Sequence, residues 1–232
     1  MAKRLLDRLK DIARGAQGGV SRAIQQARSH FVNMLGELTG KRENDADVFK
    51  RAYRDHGPRL SQSRTPSFNV YANTKSDRLV NRLGPKHLGR LIMFIYDPKY
   101  KETLPYFDRL PLVLPLSFEQ GGKMLGLNLH YLPPKLRAAL MDELIENVIT
   151  PKFMDERKRI RISYDIMKNA ASSSAYAPCI KKYIISPNHV KSRFLVIPPT
   201  EWAEVIMLPF ERFEKADKNT VYRDSLRTIR KR

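Results

Sequence analysis

Cysteine is nearly absent from this sequence: Cys179 is the single cysteine among 232 residues. One cysteine excludes an intrachain disulfide, and with it the class of small exported scaffolds that disulfides hold together. A reducing cytoplasm is therefore the expected place of synthesis. Because Pro178 and Ile180 flank it, Cys179 is interpreted as a buried, small apolar side chain and not as a nucleophile.

Long apolar runs are also missing. No stretch approaches the roughly 18 consecutive apolar residues that a membrane-spanning helix requires, so no transmembrane segment is expected. The basic N-terminal residues are not followed by the apolar run of about 7–15 residues that marks a secretory signal. Neither a membrane anchor nor a signal for export is predicted.

The residue patterns of common catalytic and metal sites are lacking too. No two histidines stand four residues apart and no cysteine pair exists, so neither a metal site nor a cofactor is expected. The glycines from Gly121 to Gly126 lack the Lys-Ser/Thr ending of a phosphate-binding loop, and Ser172–Ser174 lack the signature of a nucleophilic serine. The sequence therefore predicts a protein that is not an enzyme, with no catalytic residues and no small-molecule substrate.

Positive charge, in contrast, is abundant. The chain has 43 Lys and Arg against 24 Asp and Glu, which gives a net charge of +19 and a pI near 10.1. Residues 91–155 are close to neutral, whereas the segments on both sides of them are strongly basic. This distribution favours a neutral packed body with cationic surfaces for a polyanionic partner: nucleic acid first, with an anionic membrane surface or an acidic protein as the other candidates.

Three segments follow from the pattern of charge, proline and glycine. Residues 1–65 are predicted to form a basic N-terminal helical arm, in which apolar residues recur at helical spacing. Residues 66–90 are predicted to be a basic linker, because turn signals interrupt them. Residues 91–232 are predicted to form the core domain, with a basic C-terminal tail, 211–232, that is expected to fray.

The core is predicted to be α+β. Apolar strands are expected at 91–96, 110–118 and 124–131, and a glycine turn should join the last two. Pro111 and Pro115 place the second strand at a sheet edge or kink it.

The rest of the core is predicted to combine helical and extended segments. Pro133-Pro134 begins a helix that opens a helical insertion over about 133–175. A short helical turn is expected at 198–202, and strands are expected at 193–197 and 205–208. The whole is a small, bent antiparallel sheet, either open or partly closed into a barrel.

Basic clusters are the chemistry that remains. Each cation that neutralises a phosphate releases counterions, so binding should depend steeply on salt and little on sequence. No helix-turn-helix or zinc-finger reader is present, which favours recognition of shape or ends. The residues predicted to contact DNA are Arg157, Lys158, Arg159, Arg161, Lys181, Lys182, Lys191 and Arg193, followed by Arg78, Arg82 and Lys86.

Four stretches of the sequence resemble a known family. They are Phe94–Lys99, Thr103–Asp108, Leu125–Lys135 and Trp202–Phe213. Over roughly residues 78–225 the chain is similar to the DNA end protector, or head-completion, proteins of contractile-tailed bacteriophages. The resemblance implies a virion protein, made in the host cytoplasm, that binds the ends of packaged double-stranded DNA and shields them from exonuclease. Its partners would be phage neck, capsid or tail proteins.

Two alternatives stay open. The chain could be a structural subunit of the tail, baseplate or head-tail connector, in which case its charge would face partner proteins. It could also be a metal-dependent nuclease, in which carboxylates and a lysine surround a divalent ion. Asp97, Asp108 and the segment 156–158 are the groups that such a nuclease would use.

Overall fold

Five helices and eight strands make up the part of the chain that the computed structural model describes, residues 48–65, 67–149 and 177–230. The helices are α1 (Val48–Ser61), α2 (Phe68–Asn73), α3 (Pro134–Ile149), α4 (Trp202–Val205) and α5 (Lys218–Arg230). The strands are β1 (Leu79–Val80), β2 (Leu91–Met93), β3 (Phe107–Asp108), β4 (Leu112–Glu119), β5 (Lys123–Asn128), β6 (Ile180–Ile184), β7 (Phe194–Ile197) and β8 (Phe213–Glu214).

The strands form two antiparallel sheets. Six of them lie in the order β1-β7-β2-β4-β5-β6, and β3 pairs with β8 in a separate ribbon. The predicted α+β class with a small antiparallel sheet is confirmed. Over the residues described, the sheet is open and does not close into a barrel.

The β4–β5 hairpin contains a glycine turn and an irregularity in its pairing. In the three-residue turn 120–122, Gly121 and Gly122 both have positive φ, 74° and 67°, a conformation that glycine adopts without steric cost. The register of the pair shifts between Pro115 and Ser117. Because β4 lies between β2 and β5, the expectation of an edge strand is wrong. The register shift after Pro115 is the kind of irregularity that bends a strand.

Alternate residues of a strand point to opposite faces of the sheet. Because apolar residues fill both sets of positions, the sheet has an apolar cluster on each face. One face packs on the helices: Leu112 and Leu114 of β4 belong to a core that also includes Phe49 and Trp202. On the other face Phe94 is the centre of an aromatic cluster. Its ring centroid lies 5.1–6.0 Å from those of Phe194, Tyr183 and Tyr96 in edge-to-face geometry.

Helix α1 is joined to α3 by a buried carboxylate. The two oxygens of Asp142 accept hydrogen bonds from the backbone amides of Phe49 and Lys50, at 2.8 and 2.7 Å. These amides lie in the first turn of α1, where donors lack intrahelical partners and the helix dipole favours negative charge. Phe68 and Ala72 of α2 also belong to the core.

Two expectations for the C-terminal third are wrong. The apolar run 205–208 is not a strand, because α4 ends there and the Ile206 amide donates to the Trp202 carbonyl at 3.1 Å. The tail does not fray over 218–230 but forms α5. Asp217 caps this helix by accepting from the Asn219 and Thr220 amides, and Val221 is fully buried.

Some expectations lie outside the described residues. These are the N-terminal arm up to residue 47 and the part of the helical insertion from 150 to 176. The start of that insertion, at Pro134, is confirmed. No described helix combines the length and apolar content needed to cross a membrane.

Candidate nucleic-acid interface

Three chain segments leave the sheet at one end of the β1–β7–β2 strands. Val80 pairs with Phe194 and Met93 pairs with Leu195. Because both pairings are antiparallel, Arg82 and Arg193 emerge from the same end, together with the residues that follow β2. The segments that follow β1 and β2 and the segment that precedes β7 therefore lie at the same end of the sheet.

The segment 186–193 is fixed to the residues that follow β2. Asp97 donates its backbone amide to the His189 carbonyl at 2.8 Å, and Lys191 donates its own to the Ile95 carbonyl at 2.8 Å. The Ile95 amide in turn donates to the Ser192 hydroxyl at 2.9 Å. These bonds hold the exposed side chains of Lys191 and Arg193 beside the loop that begins at Asp97.

The β3–β8 ribbon adds a further segment to this end. The Arg109 amide donates to the Arg212 carbonyl at 2.8 Å. The ammonium of Lys215 donates to three backbone carbonyls of the loop, those of Lys101, Glu102 and Leu104, at 2.5, 2.8 and 3.3 Å. Residues 212–215 are therefore tied to Arg109 through Arg212 and to the loop 97–104 through Lys215.

We call this surface the basic rim: residues 81–82, 95–104, 109, 186–193 and 212–215. Positive charge prevails on it, with eight exposed basic residues against two exposed acidic residues and one half-buried acidic residue. The basic residues are Arg82, Lys99, Lys101, Arg109, Lys191, Arg193, Arg212 and Lys215; the acidic ones are Asp97, Glu102 and Glu214. Such an excess produces the potential that attracts phosphate.

Three of the residues predicted to contact DNA lie on the basic rim: Arg82, Lys191 and Arg193. Lys86 is exposed nearby in sequence, in the turn Pro85–His87 between β1 and β2. The cluster Arg157, Lys158, Arg159 and Arg161 lies outside the described residues.

Arg78 is held by an internal ion pair. Its guanidinium nitrogen Nη1 lies 2.6 Å from Oε1 of Glu201, and the ammonium of Lys75 lies 2.8 Å from the same oxygen. Burial would raise the pKa of Glu201, but its hydrogen bonds to these two cations lower it. Two cations thus share one carboxylate at the start of α4, and the charge of Arg78 is largely compensated within the protein.

Lys181 and Lys182 lie on β6, the edge strand at the other side of the sheet. The Lys181 ammonium sits 3.9 Å from the ring centroid of Tyr131, a favourable cation–π contact, and burial lowers its pKa. Lys182 is exposed and forms an ion pair with Glu119. Both side chains therefore have partners inside the protein, unlike a solvated phosphate-binding lysine.

Several basic-rim residues escaped prediction from the sequence: Lys99, Lys101, Arg109, Arg212 and Lys215. The sequence does carry one signal for them, because Lys99 and Lys101 flank Tyr100 directly after a proline turn. Interleaved cations and aromatics are typical of nucleic-acid contacts. Arg212 and Lys215 give no such signal, since only the pairing of β3 with β8 brings them to the surface.

Asp108 and Asp97, the two carboxylates considered for a nuclease, have structural partners. Asp108 is buried, and its oxygens accept from the amides of Leu110 and Arg212 and from the side chain of Asn128. His130 Nδ1 lies 2.8 Å from the same carboxylate. Asp97 pairs with Lys101 at 3.1 Å. Among the residues described, no group of three histidine, cysteine or acidic side chains could hold a metal ion.

Cys179 is fully buried, as expected, and burial raises the pKa of its thiol to about 12. A thiol that stays protonated is a poor nucleophile. The structure therefore gives Cys179 the packing role that its apolar neighbours predict.

The comparison with protein families identifies the chain. A family model described as the phage T4 terminal DNA protecting protein matches residues 51–226, about three quarters of the sequence. The chain therefore belongs to that family, and the resemblance to DNA end protector proteins is confirmed. No curated protein and no solved structure matches the chain.

Proposed function

We propose that this member of the terminal DNA protecting protein family binds the ends of packaged linear duplex DNA and shields them from exonuclease, without catalytic turnover. The observation that carries the proposal is the basic rim, where eight exposed basic residues from five chain segments lie on one surface. Lys101 and Arg109 are ion-paired with acidic residues of the rim, and the Lys215 ammonium binds three backbone carbonyls. The proposal therefore depends first on Arg82, Lys191 and Arg193. The family description supports DNA as the partner.

The form of the basic rim favours binding to the phosphate backbone. Phosphate contacts position a protein on DNA but carry no sequence information, which suits a protein that must accept any end. The rim is built from loops and from strand ends, not from a helix that could enter the major groove and read bases. Further phosphate contacts are proposed for Lys86 and for the cluster Arg157, Lys158, Arg159 and Arg161. Lys181 and Lys182 would contact phosphate only if they left their partners Tyr131 and Glu119.

The location of the protein in the virion follows from its proposed partner, the ends of packaged DNA. Packaged DNA has its ends inside the virion, so we propose that the protein resides at the neck or capsid mouth, next to neck, capsid or tail proteins. We propose that the N-terminal arm, of which residues 1–47 lie outside the described part of the chain, contributes to contacts with those partners. After injection the protein would remain on the ends and block host exonuclease.

The experiment is a mobility-shift titration at several salt concentrations. The substrates are a linear duplex and a dumbbell of the same length whose ends are closed by hairpin loops. The test variant replaces Arg82, Lys191 and Arg193 with alanine. The control variant replaces Arg59, Lys123 and Arg227, three exposed cations of α1, β5 and α5, so both variants lose the same charge.

The proposal predicts tighter binding to the linear duplex than to the dumbbell. Each lost phosphate contact lowers the slope of log K against log salt by about 1, so the test variant should lose about 2–3 units of slope and the control variant less than one. Equal binding to the linear duplex and the dumbbell would contradict end recognition and favour a connector or tail role. Divalent-dependent cleavage that Asp97→Ala abolishes would favour the nuclease.

A further inference from the structure

Tyr100 protrudes from the basic rim. Its side chain is 62% exposed, whereas nearly all other large apolar side chains in the described ranges are buried or half-buried. Two other large apolar side chains are exposed: Leu104, four residues further along the same loop, and Val70 on α2. Among these three, Tyr100 is the one that offers an aromatic ring.

The loop that carries Tyr100 is held in one conformation. The carbonyl of Tyr100 accepts from the amides of Thr103 and Leu104, both at 3.1 Å, and from the Thr103 hydroxyl at 3.1 Å. The Lys215 ammonium binds the carbonyls of residues 101, 102 and 104 from the other side. A side chain on a preorganised loop loses little further entropy when it binds.

One cation lies against the exposed ring, and others stand on neighbouring segments of the basic rim. The Lys99 ammonium lies 5.3 Å from the Tyr100 ring centroid, and Lys101 follows it directly. Lys191 and Arg193 stand on the segment that is hydrogen-bonded to residues 95–97. An exposed aromatic ring with cations nearby fits a nucleic-acid base flanked by backbone phosphates.

The end of a DNA duplex differs from its interior in the stacking of its bases, and an exposed aromatic ring can recognise this difference. In the interior each base pair is stacked on both sides, and at the end one π-face is open to solvent. We propose that Tyr100 stacks on the open face of the terminal base pair, while the neighbouring cations contact the phosphates that flank it. This inference rests on the proposed function and assigns end recognition to a particular side chain.

The test compares Tyr100→Ala with Tyr100→Phe on the linear duplex and the dumbbell. Tyr100 is exposed, so neither change should affect folding, which circular dichroism and thermal melting would check. Loss of a stacked base should weaken binding to the linear duplex by about 10-fold and leave dumbbell binding and the salt slope unchanged. Tyr100→Phe keeps the ring and should bind like the unaltered protein. Val70→Ala is the matched control for loss of an exposed apolar side chain.

A second measurement tests whether Tyr100 contacts the terminal base pair. With 2-aminopurine at the terminal position of the duplex, the unaltered protein and Tyr100→Phe should change its fluorescence, and Tyr100→Ala should not. If the unaltered protein prefers ends but Tyr100→Ala prefers them equally, the stacking inference is overturned and the proposed function stands. A loss of preference in both variants would also overturn stacking. If the unaltered protein has no preference for ends, the proposed function and the inference fail together.

Discussion

The carboxylate of Glu211 lies 3.2 Å from the guanidinium of Arg137, and both side chains are almost completely buried. Arg137 also donates to the carbonyls of Leu132 and Ile206 and to the hydroxyl of Tyr222. Tyr222 donates in turn to Glu211 at 2.8 Å. This network joins the N-terminal half of α3 to α5 and to the chain just before β8. Arg212 and Lys215 of the basic rim lie on either side of β8.

Acid should break this network. Burial alone would raise the pKa of Glu211, but Arg137, with His130 and Tyr222, lowers it from 4.5 to about 2. A group whose folded pKa is depressed stabilises the protein above its unfolded pKa, and that stability is lost as the pH falls through the folded pKa. We therefore expect the contribution of Glu211 to disappear between pH 4.5 and about pH 2.

Glu211→Gln tests this expectation. The change leaves a buried guanidinium without its counter-charge, so the free energy of unfolding at neutral pH should fall by about 3 kcal/mol. The part of the acid dependence that comes from Glu211 should also vanish. Urea unfolding at a series of pH values measures both. The same pH dependence in the variant and the unaltered protein would show that Glu211 is not the group responsible.

The attachment of α1 depends on Asp142. Asp142→Ala removes an anionic acceptor from two backbone amides in the first turn of the helix, and we expect a loss of about 2–3 kcal/mol in the free energy of unfolding. Asp142→Asn keeps one acceptor oxygen and should lose less. Chemical denaturation measures all three proteins. An alanine variant as stable as the unaltered protein would contradict the capping role.

The order of the Tyr100 loop depends on Lys215. Lys215→Met removes the ammonium that binds three carbonyls, so the Thr103 and Leu104 amides should exchange with solvent about 10-fold faster, which corresponds to about 1.4 kcal/mol. Hydrogen exchange followed by mass spectrometry measures this. Lys218→Met, an exposed lysine three residues later, is the control.

A glycine variant separates the two properties of Lys215. This residue has a φ of 69°, which is unfavourable for a side-chain-bearing residue and easy for glycine. Lys215→Gly should therefore unfold at a higher denaturant concentration than Lys215→Met, while the loop exchanges fast in both. A loop that stays protected in both variants would mean that its own turn hydrogen bonds suffice.

The parts of the fold that follow from local pattern were predictable. The turn at Gly121-Gly122 and the helix that starts at Pro134 depend on residues next to one another. The run 205–208 was misassigned because a short buried apolar segment has the same composition in a helix as in a strand. Helix α5 was missed because its buried stripe includes Ser225 and is surrounded by charge.

The site depends on long-range pairing, and a sequence does not show which strands pair. Arg82 and Arg193 leave the sheet at the same end because β1 pairs with β7, a pairing that the sequence does not reveal. Nor does the sequence reveal the partner of Arg78, since Glu201 is 123 positions away. A single sequence shows that a residue is a cation, but burial and ion pairing decide whether that cation is available to phosphate.

The most direct test of the central claim is an exonuclease challenge of linear duplex DNA. A processive exonuclease is added to end-labelled duplex bound by the unaltered protein, by the variant with alanine at Arg82, Lys191 and Arg193, or by the control variant with alanine at Arg59, Lys123 and Arg227. We predict that the label survives with the unaltered protein and the control variant and is released with the basic-rim variant. Release of the label at the rate of free DNA in the presence of saturating unaltered protein would contradict the account.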